Sequence, residues 1–251
     1  MTKRVRLGML TPSSNTVLEP VTAAMVAGLP EVSAHFARFR VTEISLSDPA
    51  LRQFDTAPLI AAAKLLADAR VDVMAWNGTS AGWLGFEADA ALCRLVTRET
   101  GVPATSSVRA LNEVFATTGV TRFGLVTPYL GAIQERIIAN YARAGITCVA
   151  EQHLDDPGNF SFSEVSERRI AGMVRAVAAA GPQAITTFCT NLRGASIVDA
   201  LERELGIPIY DTVAAAVWKS LKMAGVDTRR VQGWGRLFNA AGEISKQRQN
   251  A

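Results

Sequence analysis

Cys189 is the side chain best placed for chemistry in this chain. It closes the apolar run Ile185-Thr186-Thr187-Phe188 and opens the polar loop Thr190-Asn191. A thiol at the carboxyl end of a strand, ahead of a helix, meets the positive end of a helix dipole, which favours its ionised form. The competing reading is a buried structural cysteine, since free cysteine is among the most buried residue types. That second reading is taken for Cys93, inside a helical pattern, and for Cys148, inside a strand pattern. A similar apolar run, Val73-Met74-Ala75-Trp76, ends in Asn77-Gly78-Thr79-Ser80, and aligning the two runs sets Gly78 against Cys189. Thr79 and Ser80 read either as an anion nest built with the N–H groups after Gly78 or as helix caps. Pro12-Ser13-Ser14-Asn15-Thr16 forms another strand-end loop, in which Asn15 can donate to a carboxylate. Tyr129, just after Pro128, offers a phenol to a developing oxyanion, or is an amphipathic residue at a helix start.

Other chemistries find little support. Gly78, Gly82 and Gly85 lack both the GxGxxG spacing and the Gly-Lys-Ser/Thr of a phosphate loop. His35 and His153 have no acidic or cysteine partner at metal-ligand spacing, so no metal site is expected. No Gly-x-Ser-x-Gly elbow or Ser-His-Asp order occurs.

The elements that must position these residues are written twice. Val5-Arg6-Leu7-Gly8-Met9-Leu10-Thr11-Pro12 is echoed by Thr121-Arg122-Phe123-Gly124-Leu125-Val126-Thr127-Pro128, and Gly101-Val102-Pro103 by Gly206-Ile207-Pro208. In the first copy the patterns predict strands over 5–11, 33–41, 71–77 and 104–105, with helices over 17–27, 58–69 and 86–100 and a last one ending at 115. In the second they predict strands over 123–127, 147–151, 184–189 and 209–210, and helices over 132–144, 164–180, 195–205 and 213–224. Strands alternating with amphipathic helices imply parallel sheets covered on both faces. The expected fold is α/β: two pseudo-symmetric, doubly wound parallel-sheet domains with the active site between them, near the strand carboxyl ends. Residues 1–115 form the first repeat and 116–217 the second, with 218–251 packing back on the first because Trp234, Leu237 and Phe238 would otherwise be exposed. The turn-rich segment 153–162 suits a flap over the cleft, and 246–251 read as frayed.

With 251 residues, 49% hydrophobic and 20% charged, the chain can bury a substantial core without disulfides or metals. A formal charge of +3 with scattered Lys and Arg gives no stripe for nucleic acid. No apolar run reaches membrane-spanning length, and the start lacks the apolar core of a secretory signal. Three widely spaced cysteines argue against a disulfide framework, so a cytoplasmic location is expected.

Together, the duplicated halves, Pro12-Ser13-Ser14-Asn15-Thr16, Gly78-Thr79-Ser80, Cys189-Thr190-Asn191 and Gly233-Trp234-Gly235-Arg236-Leu237-Phe238 resemble the aspartate/glutamate racemase superfamily over nearly the whole chain. Within it the chain is similar to two branches, arylmalonate decarboxylase and the maleate cis–trans isomerases. Most members carry a cysteine in each half. Here Gly78 stands at the first of those positions, which matches the decarboxylase pattern. The resemblance implies that Thr79, Ser80 and Tyr129 hold a carboxylate in a dioxyanion hole, that Cys189 protonates the intermediate, and that no cofactor is needed. Asn15, Asn191 and Asn159 look more like the isomerase branch, where asparagines grip substrate carboxylates. With Ser14, Gly78 and Thr190 they make up the expected substrate-binding set. The polar flap and Ala81-Gly82 point to a smaller or more polar diacid than an arylmalonate.

The expected activity is therefore cofactor-independent decarboxylation of a substituted malonate or related small dicarboxylate, through an enediolate protonated on one face by Cys189. The alternatives are a maleate-type isomerase or racemase of a small diacid, and a non-catalytic small-acid binding protein. The expected partner is the dicarboxylate alone, with neither nucleic acid nor membrane; a homo-oligomer stays open. The vacancy read at Gly78 also leads to the expectation that Gly78→Cys adds a second proton donor.

Overall fold

The computed structural model describes residues 4–44 and 56–239, so the frayed end expected at 246–251 lies outside the described residues. Among the described residues, eight strands form two four-stranded parallel sheets of identical order. The first holds β1 (Val5–Pro12), β2 (Val32–Phe39), β3 (Val73–Trp76) and β4 (Ala104–Ser106), ordered β2-β1-β3-β4. The second holds β5 (Arg122–Val126), β6 (Thr147–Gln152), β7 (Ala184–Thr187) and β8 (Ile209–Asp211), ordered β6-β5-β7-β8. Among the described residues the helices are α1 (Leu18–Val26), α2 (Thr56–Asp68), α3 (Ala81–Leu84), α4 (Phe86–Thr100), α5 (Ser107–Thr118), α6 (Gly131–Arg143), α7 (Glu167–Ala178), α8 (Val198–Leu205) and α9 (Thr212–Met223). The fold is thus the expected duplicated α/β arrangement, and every residue of β3 and β7 is buried. Among the described residues no helix is long and apolar enough to cross a membrane, and no cluster of three His, Cys, Asp or Glu side chains is grouped to hold a metal.

The repeated glycines have separate jobs. Gly101 and Gly206 end α4 and α8 with φ of 73° and 71°, the left-handed region that favours glycine. Gly8 and Gly124 lie in the central strands β1 and β5, where the chain of the crossover connection packs directly on the sheet. A Cβ on Gly8 would lie 2.9 Å from Val71 Cγ2, and one on Gly124 would lie 2.2 Å from Val177 Cγ1. The duplication therefore preserves close approach of backbone and covering layer.

Local chemistry moves several expected boundaries. Ser166 caps α7 by accepting from the Arg169 N–H, so the helix starts at Glu167 and 161–164 form a separate 3₁₀ turn. A 3₁₀ turn at Ala195–Ile197 likewise precedes α8. Strand β7 ends at Thr187 rather than at Cys189, which puts Phe188 and Cys189 in the connecting loop. The four-residue α3 was not expected, because its length carries no periodic signal. It lies tight against the second half: Gly82 faces the Phe188 ring, 2.6 Å from where its Cβ would be, and the Gly82 carbonyl accepts from Asn140 Nδ2 at 2.6 Å.

The segment after α9 touches both halves. Arg230 pairs with Glu31 of the first. The Arg236 N–H donates to Glu202 of α8 at 2.7 Å, while Leu237 and Phe238 are fully buried. Helix α9 itself packs on α1, α5 and β3 of the first half.

Gly124→Ala is expected to destabilise the protein by about 1–3 kcal/mol through overpacking, and Gly8→Ala by less, since its nearest neighbour is farther away. Urea unfolding with unchanged m-value checks both the size and the order of the two effects.

Candidate active site

The carboxyl ends of β1, β3, β5 and β7 converge between the halves, and the loops that follow them enclose a small cavity. Gly78, Thr79 and Ser80 enter it from the loop after β3, Tyr129 from the loop after β5, and Cys189 and Thr190 from the loop after β7. Asn159 of the flap closes one side, and Pro12, Val41, Ile44, Trp76 and Trp83 supply apolar wall. The cavity measures about 20 Å³, enough for roughly one water molecule, so substrate entry requires side chains to move. A larger cavity of about 480 Å³, lined by Phe86, Arg109, Glu113 and Lys219 among others, contains none of these residues.

Thr79 Oγ1 and Tyr129 Oη, one from each half, lie 2.5 Å apart in a hydrogen bond that either hydroxyl can donate. This contact, rather than capping, is what the Thr79 side chain does, and Ser80 at the start of α3 makes no side-chain capping bond either. Tyr129 is held edge-on between Trp83 and Phe162, with ring centroids 5.3 and 5.6 Å away. Its N–H donates to Thr127 Oγ1, which in turn donates to Gln134 Oε1 at 2.7 Å. Burial pushes the phenol well above its ordinary pKa, with the neighbouring Cys189 adding to the effect. It stays protonated and available as a donor.

Cys189 is buried beside this pair. Desolvation raises its pKa to about 12, outweighing the Tyr129 hydroxyl and the N–H groups of Asn191 and Leu192, which favour the thiolate; the Asp211 carboxylate pushes in the same direction as burial. The expected help from a helix dipole is not realised. The 3₁₀ turn starts only at Ala195 and α8 at Val198, so the thiol meets loop N–H groups rather than a helix end. Cys93 and Cys148 are also raised, to about 12 and about 11, and line no part of this cavity.

The side chains of the expected asparagines are bonded across the halves and to nearby backbone. Asn15 Nδ2 donates to the Thr190 carbonyl and hydroxyl at 3.1 and 3.2 Å, while its Oδ1 accepts from the N–H groups of Val17 and Leu18. Asn191 accepts from the Thr16 N–H and donates to the Asn159 carbonyl at 2.5 Å. Asn159 donates to Ser14 Oγ at 2.8 Å, and Ser14 donates to the Val41 carbonyl. Thr190 Oγ1 donates to the Asn77 carbonyl at 3.0 Å. Ser14, Asn15 and Asn191 thus sit behind the cavity wall as a lattice joining the halves, whereas Gly78, Asn159 and Thr190 reach the cavity.

Gly78 does not face empty space. A Cβ there would lie 2.0 Å from Trp76 Cζ2 and 2.5 Å from Cε2, because the indole packs over the glycine. A side chain at position 78, as in Gly78→Cys, therefore requires the Trp76 indole to move, contrary to the vacancy read from the sequence. Trp76 escaped the sequence reading; the signal that could have found it is a large aromatic two residues before a glycine at a strand end.

A family model described as arylmalonate decarboxylase matches residues 14–238. A maleate isomerase of Geobacillus stearothermophilus is 26% identical over 239 residues, covering 91% of this chain and 95% of that protein. The arylmalonate decarboxylase of Bordetella bronchiseptica is 28% identical over 170 residues, 66% of this chain and 71% of that protein. Among solved structures, a cysteine-to-serine variant of the Nocardia farcinica maleate cis–trans isomerase with a covalently bound succinylcysteine intermediate superposes with a TM-score of 0.85 at 23% identity, covering 93% of this chain and 98% of that one. The match over residues 14–238 places the chain in the arylmalonate decarboxylase family.

Proposed function

We propose that the protein is a cofactor-independent decarboxylase of a substituted malonate or related small dicarboxylate. The observation that carries this reading is that the cavity offers one thiol, Cys189, while Trp76 fills the space beside Gly78. Decarboxylation needs a single proton donor. The bond from the α-carbon to one carboxylate breaks, its electron pair stays on the carbon and spreads into the remaining carboxylate, and CO2 leaves. Thr79, Ser80 and Tyr129 donate to the oxygens of that enediolate, each good donor contributing about 3 kcal/mol at the transition state. The Cys189 proton then passes to the α-carbon, and solvent returns a proton to the thiolate. A thiol held protonated is suited to giving a proton and poorly suited to attacking carbon.

The second reading is isomerisation of a maleate-like diacid, favoured by the coverage of the isomerase relatives. A two-base racemase needs an acid on each face, and the side chain opposite Cys189 in the repeat is absent at Gly78.

Incubation with 2-substituted malonates and with maleate separates the readings: CO2 release supports the first, and fumarate the second. Cys189→Ala should lower kcat for CO2 release by roughly 10²–10⁴-fold, and Tyr129→Phe by about 10²–10³-fold. Release that survives Cys189→Ala unchanged rules out the proton-donor role. Because pH lies below the raised thiol pKa throughout the neutral range, the thiolate fraction should climb about tenfold per pH unit with no plateau before about pH 10. Alkylation of Cys189 by iodoacetamide, followed by peptide mass mapping from pH 7 to 10, reads this directly; a plateau near pH 8–9 would mean that burial does not control the thiol.

A further inference from the structure

Trp76 borders two spaces at once. With Ser80 it forms wall common to the 20 Å³ reactive cavity and to a groove of about 220 Å³ on the first half, lined by Leu59, Leu84, Ala88 and Leu92. The groove opens to solvent, since Leu84 is 42% exposed and Ala88 and Ala91 are exposed, whereas Trp76 is 3% exposed. The indole is wedged between the Phe39 ring, centroids 5.1 Å apart, and the backbone of Gly78.

We propose that Trp76 is a specificity-determining partition: its indole seals the reactive cavity from the surface groove and occupies the space any side chain at position 78 would need, so that Cys189 is the one proton donor reaching the substrate carbon. The argument is steric. A carbanion formed in the cavity takes a proton from whichever acid reaches it first. Cys189 stands on the second half. From the first half, water arriving through the groove would protonate the carbon from its own side, leaving hydroxide and a product of the opposite hand. Trp76 and Ser80 are the wall that groove and cavity share, and the indole lies so closely over Gly78 that a Cβ there would fall 2.0 Å from Trp76 Cζ2. The absence of a side chain at 78 and the presence of tryptophan at 76 are therefore one device. The stereochemical part rests on the decarboxylation reading; the sealing part does not.

Three measurements test it. Cys189 alkylation at fixed pH should be at least tenfold faster in Trp76→Ala, intermediate in Trp76→Phe, and unchanged in Leu84→Ala, which trims the groove but not the partition. Gly78→Ala should lower Tm by several degrees in the native protein and by distinctly less in the Trp76→Ala background, or in Trp76→Phe should the alanine variant not fold. In D2O, native enzyme should give one enantiomer of the α-deuterated acid, and Trp76→Ala a product of reduced enantiomeric excess. An unchanged labelling rate in folded Trp76→Ala, or an equal Tm cost of Gly78→Ala in both backgrounds, overturns the partition. Native excess retained in Trp76→Ala overturns its stereochemical role. Failure of the native protein to release CO2 counts against the decarboxylase reading alone, because labelling and Tm need no turnover.

Discussion

Desolvation of one thiol is the constraint around which the site is organised. Cys189 is 3% exposed, and burial raises its pKa to about 12 although three hydrogen-bond donors favour the thiolate. Those donors show the site is polar; the shift shows that water exclusion outweighs them. The same exclusion keeps Tyr129 protonated and makes the Thr79–Tyr129 pair a preorganised donor. In a dry cavity such donors act on developing charge far more strongly than they would in water. Opening the cavity to bulk solvent would weaken both effects together.

Keeping water out requires the halves to stay closed on each other, and the sequence distance involved is large. The Asn15 contacts with Thr190 and the Thr16 contact with Asn191 each join residues 175 positions apart. Each hydrogen bond contributes only about 1 kcal/mol net, but a buried partner left unsatisfied costs about 1–3 kcal/mol, so the lattice opposes partial opening more than its summed strength suggests. Asn159 ties the flap into this lattice while also lining the cavity, and the Ile44 N–H donates to the Pro157 carbonyl nearby. Asn159 is thus shared by the cavity lining and by the hydrogen-bonded lattice that joins the halves.

Much of the architecture was legible because its causes are local or repeated. Gly8 and Gly124 mark close approach of the covering chain to a central strand, Gly101 and Gly206 mark left-handed helix ends, and each pair sits at matching places in the two copies. Thr79, Ser80, Tyr129 and Cys189 were legible as strand-end residues of a duplicated fold, and all four line one cavity. The short α3 was not legible, because four residues carry no period. Nor was the bracing by Asn15 and Asn191, since an asparagine amide suits a substrate carboxylate and a distant carbonyl equally well and only the fold decides. The thiol's high pKa was missed for a related reason: strand-end position suggested a helix dipole, while the loop from Thr190 to Gly194 keeps the first helical turn away.

A protonated resting thiol also bears on what can enter. A dicarboxylate, the substrate class proposed above, carries two negative charges, and one further unit charge about 4 Å away costs roughly 4 kcal/mol at an effective dielectric of 20. A thiolate at Cys189 would repel such a diacid from the cavity that the thiol lines. A neutral thiol removes that penalty; a carboxylate accepting from Thr79 and Tyr129 would replace the hydrogen bond that these hydroxyls make with each other, with Val41, Ile44 and Trp76 lining the rest of the cavity. In the proposed decarboxylation, loss of CO2 would convert a carboxylate facing that apolar wall into a neutral gas. The carbanion left behind is far more basic than a thiolate, so even an acid as weak as this one can protonate it. The proposed decarboxylation thus needs an acid too weak to ionise before the substrate arrives and strong enough for the one base that the reaction creates, and burial holds the Cys189 thiol protonated as such an acid would be.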